Sequence, residues 1–325
     1  MIDQSCPRLL ELMADTRSHA ISDLAEGLAI APGEVVERLH ALMDEGLAIT
    51  VEAEHCWLSH PVECLSAEVI RAVLAPATRT LLPDIRVFPV IDSTNAHLLQ
   101  MAEANPVDPI VCLAECQRAG RGRRGRCWSS PFAANLYLSL LWRFAPPPAV
   151  LSGLSLVAGV AVARALEGLQ VPDIRLKWPN DLFWRDRKLG GLLLESRFIG
   201  KTAMVVIGLG LNVAMPDTRE TIDQPWVDLR EAMGGTAPSR NRLAAAILDQ
   251  LVMALPVMQY EGLAPLLDDW HRLDGFRGRQ VVLQLPDGQR MTGIALGIDD
   301  TGALRLATER GEQRFAVGEV SLRAG

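Results

Sequence analysis

The residues whose types and spacing point most clearly to chemistry lie between Ala119 and Trp128, where the chain reads AGRGRRGRCW. Four arginines and three glycines fall within positions 120–126. Like charges so close repel one another, and glycine raises the entropy lost on ordering, so we expect this arginine loop to be mobile until an anion binds. Guanidinium groups bind phosphate or carboxylate in bidentate fashion, and Trp128 offers a flat face to a nucleobase. The pattern predicts a loop that orders over a nucleotide or an acyl phosphate.

Other interpretations of the same loop are possible. Gly120, Gly122 and Gly125 satisfy the dinucleotide-binding pattern GxGxxG. That pattern requires a helix directly after the glycines and an acidic residue about 20 positions on. Here the strand-like ANLYLSLLW follows and the next acidic residue is Glu167, so a Rossmann site is disfavoured. No GxxxxGK[ST] sequence occurs, and a flexible segment that binds RNA remains the alternative for the loop taken alone.

Three other short clusters place polar residues at the ends of predicted elements. The sequence DSTN at 92–95 follows the strand-like RVFPVI, where such residues also cap helices. KWPND at 177–181 is followed by Arg187 and Lys188, and VIGLGLN ends at Asn212. Lys177 lies in an otherwise apolar strand, so its ammonium group calls for a phosphate or carboxylate partner.

The sequence shows no strong metal-binding pattern. The six cysteines form no CxxC pair and the six histidines form no HExxH cluster. Cys56, His60 and Cys64 could be drawn as a partial zinc site, but a fourth ligand is not evident. A metal held by protein side chains alone is therefore not predicted.

The elements that must position these clusters fall into three predicted domains of a multidomain α+β protein. Residues 1–64 read as three helices and a two-stranded ribbon, the pattern of a winged helix-turn-helix domain. Residues 65–274 mix strands with long apolar helices, which predicts a central α/β domain with a mixed sheet. From 275 to 325, short strands alternate with PDG, DDTG and ERG turns, which predicts a small antiparallel β-barrel.

Composition bounds the setting of these domains. The 325 residues are 49% hydrophobic, enough for two or three cores. The longest uncharged stretch, 144–163, contains three consecutive prolines, and the N-terminus lacks a basic region followed by an apolar one. We therefore expect a cytoplasmic protein with no membrane partner.

Charge is distributed unevenly among the domains. Residues 1–64 contain three arginines against twelve carboxylates, a net charge of −9 in a chain whose total is −7. The predicted recognition helix PGEVVERLHALMDEG alone carries four carboxylates. Because phosphate neutralisation supplies most nonspecific affinity for DNA, we expect this domain to bind operator DNA weakly or not at all.

Taken together, the clusters resemble those of the biotin protein ligases, specifically the three-domain type that is also the biotin operon repressor. The matching strings are VIDSTN, GRGRRGR.WSSPF.ANLYLSL.WR, KWPND followed by RKLGGLL, and VIGLGLN. The resemblance extends over almost the whole chain and implies that the C-terminal barrel is SH3-like. Cys127 departs from it where a basic residue is common, and Ala133 where glycine is usual.

The resemblance implies a two-step reaction that uses biotin, ATP and Mg²⁺. The biotin carboxylate attacks the α-phosphate of ATP, pyrophosphate leaves, and the amine of an acceptor lysine then attacks biotinyl-5′-AMP. Carried over by position, the biotin contacts are Ser93, Thr94, Asn95, Gln117, Arg121, Gly122, Arg123 and Lys188. The nucleotide contacts are Arg124, Arg126, Trp128, Lys177, Asn180 and Asn212. The expected catalytic residues are Arg123, Lys177, Lys188 and Asp181, of which Asp181 would orient Lys177 or reach the metal.

The resemblance also implies partners and leaves alternatives. The acceptor would be the biotin carboxyl carrier protein of acetyl-CoA carboxylase, and the protein would form a homodimer through its central domain. The enzymatic alternative is a lipoate protein ligase, although the polar group of Ser93, Thr94 and Gln117 favours the ureido ring of biotin. The other alternative is a repressor that responds to biotinyl-AMP and has only minor ligase activity.

Overall fold

The structure is a computed structural model, and it describes residues 6–104, 109–145, 151–216, 222, 224–285, 289–316 and 321–324. The N-terminal part contains the helices α1 (Cys6–Leu12), α2 (Ile21–Leu28) and α3 (Pro32–Asp44) and the strands β1 (His19–Ala20), β2 (Ile49–Glu52) and β3 (His55–Leu58). The strands form an antiparallel sheet in the order β1-β3-β2. The expected two-stranded ribbon is thus part of a three-stranded sheet, because the two residues before α2 pair with β3.

A seven-stranded sheet forms the centre of the molecule. Its strands are β4 (Asp84–Ile91), β5 (Ile110–Gln117), β6 (Leu136–Phe144), β7 (Ile174–Lys177), β8 (Asp181–Trp184), β9 (Arg187–Ile199) and β10 (Thr202–Leu211), in the order β4-β5-β6-β10-β9-β8-β7. Strands β4 and β5 are parallel, and the other neighbours are antiparallel. The predicted mixed sheet is confirmed.

Helices cover this sheet on both faces. They are α4 (Ala67–Val73), α5 (Pro76–Leu81), α6 (Thr94–Ala104), α7 (Leu154–Gly168), α8 (Leu229–Ala232), α9 (Arg240–Glu261) and α10 (Leu267–Leu273). Helices α7 and α9 pack together in the main core, and α6 buries Leu98, Leu99 and Ala102 in a separate cluster. Within the described part of the chain, α9 alone has the length and apolar composition of a membrane span, and 56% of its most apolar window is buried in this core.

The C-terminal strands form a five-stranded antiparallel sheet. They are β11 (Gln280–Gln284), β12 (Arg290–Ile298), β13 (Leu304–Thr308), β14 (Gly311–Phe315) and β15 (Ser321–Ala324). The Trp178 indole donates to the Gly302 carbonyl at 3.1 Å, and Gly275 N–H donates to the Leu176 carbonyl at 3.0 Å. Buried residues of this sheet, such as Val281, join the main core of the central domain. The C-terminal sheet, which begins after residue 275, therefore shares its hydrophobic core with the central domain.

Candidate active site

The arginine loop forms a short hairpin in the structure. Trp128 N–H donates to the Gly120 carbonyl at 2.9 Å, and Gly122 N–H donates to the Arg126 carbonyl at 2.7 Å. At its tip, Arg124 has a φ of 58° and Gly125 a φ of 70°, so two successive residues adopt the left-handed conformation that reverses the chain. The hairpin follows the carboxyl end of β5, where the Arg118 N–H donates to the carbonyl of Ile91 at the end of β4 at 2.9 Å.

Most of the expected site residues line one open cavity beneath this hairpin. These are Ser93, Thr94, Asn95, Gln117, Arg121, Gly122, Arg123, Arg126, Trp128, Asn180, Asp181 and Lys188. Ser93 also caps helix α6, because its hydroxyl accepts the Ala96 N–H at 3.4 Å. Capping and ligand binding, which compete as explanations of the DSTN sequence, are therefore compatible in one side chain.

A row of four hydrogen-bonded side chains, here called the polar row, forms the floor of the cavity: Gln117, Thr94, Ser139 and Asn95. Thr94 Oγ1 lies 3.1 Å from Gln117 Oε1 and 2.7 Å from Ser139 Oγ, which lies 2.6 Å from Asn95 Oδ1. Gln117 Oε1 is fixed by the Thr94 N–H, and Asn95 Nδ2 donates to the Leu193 carbonyl. Both amide oxygens therefore face the hydroxyls.

The polar row contains more acceptors than protons. Its three contacts need three protons, but the Thr94 and Ser139 hydroxyls supply only two. One oxygen among Gln117, Thr94 and Asn95, all of which line the cavity, is left to accept from a bound molecule. The floor therefore favours a ligand that donates an N–H or O–H group.

Two glycines of β10 make room for side chains of the cavity. A Cβ at Gly208 would lie 2.1 Å from Asn95 Oδ1, and a Cβ at Gly210 would lie 2.5 Å from Trp128 Cε2. Such distances are far below van der Waals contact, so the Asn95 amide and the Trp128 indole require glycine there. The spacing in VIGLGLN follows from the alternation of a strand, which places both glycines on one face.

The basic side chains of the cavity have different partners. Lys188 Nζ lies 3.0 Å from Asp181 Oδ1 and 5.4 Å from the centre of the Trp128 ring. Arg121 Nη2 lies 2.9 Å from Glu195 Oε2. Arg123 instead donates to the amide oxygen of Asn180 at 3.0 Å, and its burial lowers the pKa of its guanidinium below the ordinary value. An anion bound beside Arg123 would favour the charged guanidinium and so offset the effect of burial on its pKa.

Three expected site residues do not line this cavity. The Lys177 ammonium lies 4.9 Å from the centre of the Phe183 ring and 5.3 Å from that of Phe276. Arg124 lines a neighbouring cavity that shares Arg123 with the first. Asn212 Nδ2 donates to the Val227 carbonyl at 3.0 Å, so this amide joins two chain segments. Asp181 Oδ1 lies 3.0 Å from Lys188 Nζ, and Asp181 is also the register partner of Lys177 across β7 and β8. The expected role of Asp181, to orient Lys177 or to reach the metal, stays a prediction.

Ser139 and Glu195 belong to this network and were missed by motif reasoning. Ser139 is fully buried in β6, and its only signal is a hydroxyl in the apolar run LYLSLLW. Glu195 accepts from both Asn95 and Arg121, yet in the sequence it is one acidic residue after LLL. A lone serine in an apolar strand and a lone glutamate after three leucines do not by themselves predict a binding site. Their roles become visible only when the neighbouring strands are known.

No group of three or more His, Cys, Asp or Glu side chains that could hold a metal occurs among the described residues. Cys56 is buried, and burial raises the pKa of its thiol to about 11, which disfavours the thiolate that zinc requires. The partial zinc site drawn from the sequence therefore gains no support.

Comparison with known proteins agrees with this arrangement. Residues 87–212 match the biotin/lipoate A/B protein ligase family, and residues 276–323 match the biotin protein ligase C-terminal domain. The bifunctional ligase/repressor BirA of Escherichia coli is 41% identical over 329 residues, which cover 100% of this chain and 99% of BirA. The biotin--[acetyl-CoA-carboxylase] ligase of Mycobacterium tuberculosis is 39% identical over 220 residues, which cover 66% of this chain and 79% of that ligase.

A solved structure shares the fold as well. The biotin protein ligase from Aquifex aeolicus in complex with biotin and ATP superposes with a TM-score of 0.66 and 27% identity, covering 74% of this chain and 99% of that one. Fold and site thus define a protein of the biotin and lipoate ligase class. Within that class, the chain belongs to the biotin protein ligase family.

Proposed function

We propose that this enzyme activates biotin with ATP to biotinyl-5′-AMP and transfers the biotinyl group to a lysine of the biotin carboxyl carrier protein of acetyl-CoA carboxylase. In the first step a biotin carboxylate oxygen bonds to the α-phosphorus and pyrophosphate leaves. In the second the neutral lysine amine attacks the acyl carbon, AMP leaves, and the amine gives up a proton. The Aquifex aeolicus relative binds both biotin and ATP in its solved complex.

The acceptor excess of the polar row is the observation that carries this proposal. The ureido ring of biotin has two N–H donors, whereas the dithiolane ring of lipoate has none. An acceptor left unpaired in a buried site costs free energy, so the floor favours biotin over lipoate. Arg123 and Lys188 face the same cavity and are placed to hold the carboxylate and the phosphate.

Charge stabilisation is the main contribution expected of the protein in the first step. Two anions must approach each other, and negative charge spreads over the phosphoryl oxygens in the transition state. Arg123, Arg126 and Lys188 line the cavity and supply fixed positive charge. Trp128 offers its ring to the adenine, and Arg124, Lys177, Asn180 and Asn212 are the further nucleotide contacts of this proposal.

Magnesium would enter with the nucleotide. Mg²⁺ binds through one or two carboxylates together with substrate phosphates, and the Asp181 carboxylate, which lines the cavity, would be such a ligand. When bound, the ion would neutralise phosphate charge. Asp181 also holds the Lys188 ammonium in place, so its own role does not depend on the ion.

Transfer of labelled biotin tests the proposal directly. Purified enzyme is mixed with MgATP, labelled biotin and a biotin carboxyl carrier domain, with lipoate as the competing acid. We expect label on the acceptor lysine, with no competition by excess lipoate. Label transfer that lipoate abolishes, or no adenylate with biotin, would contradict the proposal.

The N-terminal and C-terminal parts complete the proposed organisation. Residues 1–64 have the element order of a winged helix-turn-helix domain, residues 65–274 form the ligase domain, and residues 275–325 form an SH3-like barrel. The Escherichia coli and Salmonella typhimurium relatives are named ligase/repressors. We infer that ligase activity is the main function of this chain in the cytoplasm and that repression through operator DNA is weak.

The proposed homodimer would form through strand β9. Strand β8 pairs with β9 only as far as Gly191, so the described residues 192–199 have no neighbouring strand on that side. Phe198 and Ile199 at its end have exposed side chains. An unpaired edge with exposed apolar residues favours pairing with a second copy.

A further inference from the structure

Glu195 lies at the point where the polar row meets the arginine loop. Its Oε2 is 3.0 Å from Asn95 Nδ2 and 2.9 Å from Arg121 Nη2. The Glu195 side chain is 23% exposed, and it lines the neighbouring cavity, which shares Arg123 with the active-site cavity. None of the expected biotin or nucleotide contacts includes it.

With Glu195, a continuous series of polar contacts connects the two sides of the arginine loop through the floor of the cavity. Ser130 Oγ donates to the Trp128 carbonyl, and Gln117 Nε2 donates to Ser130 Oγ at 3.3 Å. The polar row then leads from Gln117 to Asn95, and Glu195 continues it to Arg121. The carboxyl side of the arginine loop is thus attached to the floor through Ser130, and its amino side through the Arg121–Glu195 ion pair.

We propose that Glu195 is a positioning residue that holds the arginine loop closed and orients the ligand. Through Arg121 it anchors the amino side of the loop, and through Asn95 it fixes which end of that amide faces the floor. Ligand orientation follows from the Asn95 amide, whose oxygen faces the floor of the cavity.

This inference rests on the proposed function for the identity of the ligand, but the anchor itself is independent of any ligand. The ion pair is partly exposed, so its effect is modest and sensitive to salt: about two- to fivefold in the rate of loop opening. Four arginines of the loop are trypsin sites, and cleavage at them reports opening directly. The anchor can therefore be measured without biotin or ATP.

The experiment compares Glu195→Gln with the wild type by limited trypsin digestion of the full chain without ligand, scoring cleavage after Arg123, Arg124 and Arg126. Glu103→Gln is the matched control, since Glu103 pairs with Arg197 of β9 at 3.1 Å outside the cavity. We expect cleavage about two- to fivefold faster in Glu195→Gln only. Raising the salt concentration should speed cleavage of the wild type towards the rate of that variant.

A double-mutant cycle separates anchoring from a general loss of structure. In an Arg121→Gln background, Glu195→Gln should change loop cleavage no further, because the ion pair is already absent. An undiminished effect in that background, or equal cleavage of Glu195→Gln and wild type, would overturn the anchor.

A second measurement follows release of preformed biotinyl-AMP, which we expect to be about two- to fivefold faster in Glu195→Gln. Faster loop cleavage with unchanged release would overturn the role in ligand retention. Failure of the wild type to form an adenylate at all would contradict the proposed function and leave the cleavage result standing.

Discussion

Lys188 differs from ordinary surface lysines because it is 8% exposed and lies between a carboxylate and an indole ring. The Asp181 carboxylate offsets the free-energy cost of burying the Lys188 charge. Lys188 itself lies beside a register shift between strands β8 and β9. A cation fixed before the ligand arrives stabilises developing charge without reorganisation. We therefore expect Lys188 to act electrostatically and not as a general base.

Lys188→Ala should slow adenylation by a factor on the order of 10² to 10³, as the loss of one fixed electrostatic donor does. Pyrophosphate release measures this step. Lys201→Ala, at an exposed turn, is the matched control and should leave the rate unchanged. Adenylation by Lys188→Ala at the wild-type rate would show that the assigned role is wrong.

Gly210→Ala should raise the KM for ATP while the protein stays folded. The added methyl group would lie 2.5 Å from the Trp128 ring, so the indole must leave the face of β10 on which it packs. Gly168→Ala, whose methyl group would meet no atom within 4 Å, is the control. Initial rates of adenylation over a range of ATP concentrations give the KM of each variant. An unchanged KM in Gly210→Ala would mean that Trp128 does not contact the nucleotide.

At the scale of elements, a buried ion pair connects three segments. Arg240 at the start of α9 lies 2.7 Å from Glu115 of β5, with both residues under 4% exposed. Glu115 also accepts the Leu65 N–H at 2.5 Å, and Arg240 donates to the Glu63 carbonyl. The segment that follows the N-terminal sheet is thus attached to the central sheet two residues before Gln117.

Glu115→Ala should lower the free energy of unfolding by about 3–5 kcal/mol, because it leaves the buried Arg240 charge unpaired. Urea denaturation measures the change. The exposed pair of Arg305 and Glu312 provides the control, and Glu312→Ala should leave the free energy of unfolding nearly unchanged. Similar losses in both variants would show that Glu115 does not stabilise the junction.

The free edge of β9 is the second element-scale feature with a measurable consequence. Phe198→Asp should weaken homodimer formation without slowing adenylation, since it places a charge on the exposed end of that edge. Met253→Asp on α9, another exposed apolar position, is the control. Sedimentation with biotinyl-AMP compares the variants. A wild-type protein that stays monomeric at tens of micromolar would argue against the dimer. Equal dimerisation of the two variants would show that the dimer does not form through this edge of β9.

At the scale of the whole molecule, negative charge is concentrated on the surface that would face DNA. Glu34, Glu37 and Asp44 of α3 are exposed, and Arg38 Nη1 lies 3.4 Å from Glu34 Oε2. Glu52 at the end of β2 is exposed as well. Such a surface repels phosphates at physiological salt.

We expect the biotinyl-AMP-bound protein to bind DNA from upstream of its own biotin genes no more tightly than about 1 μM, the range of nonspecific binding. Fluorescence anisotropy at two salt concentrations measures this. A Glu34→Lys/Glu37→Lys variant should bind more tightly, which verifies that charge is the limiting factor. Nanomolar binding by the wild type with a steep salt dependence would mean that a few well-placed basic side chains outweigh the carboxylates.

The sequence by itself determined the order of the elements and the chemistry of the main clusters. Alternation and turn residues predicted β4, β6 and the C-terminal strands, because such patterns depend on near neighbours in the chain. Helix α6 begins at Thr94, within the DSTN sequence whose residue types are typical of helix caps. The family resemblance assigned roles to residues in loops and strand ends, and most of these residues line one cavity.

Only the tertiary structure decided which residues complete the polar network beside that cavity. Ser139 and Glu195 act through partners 44 to 100 positions away, and such contacts depend on strand order, which local patterns do not encode. The same holds for Lys177, whose aromatic partners lie on β8 and just before β11, and for the pairing of Asp181 with Lys188. Charge and residue type are properties of the chain, whereas the partner of a charge is a property of its packing.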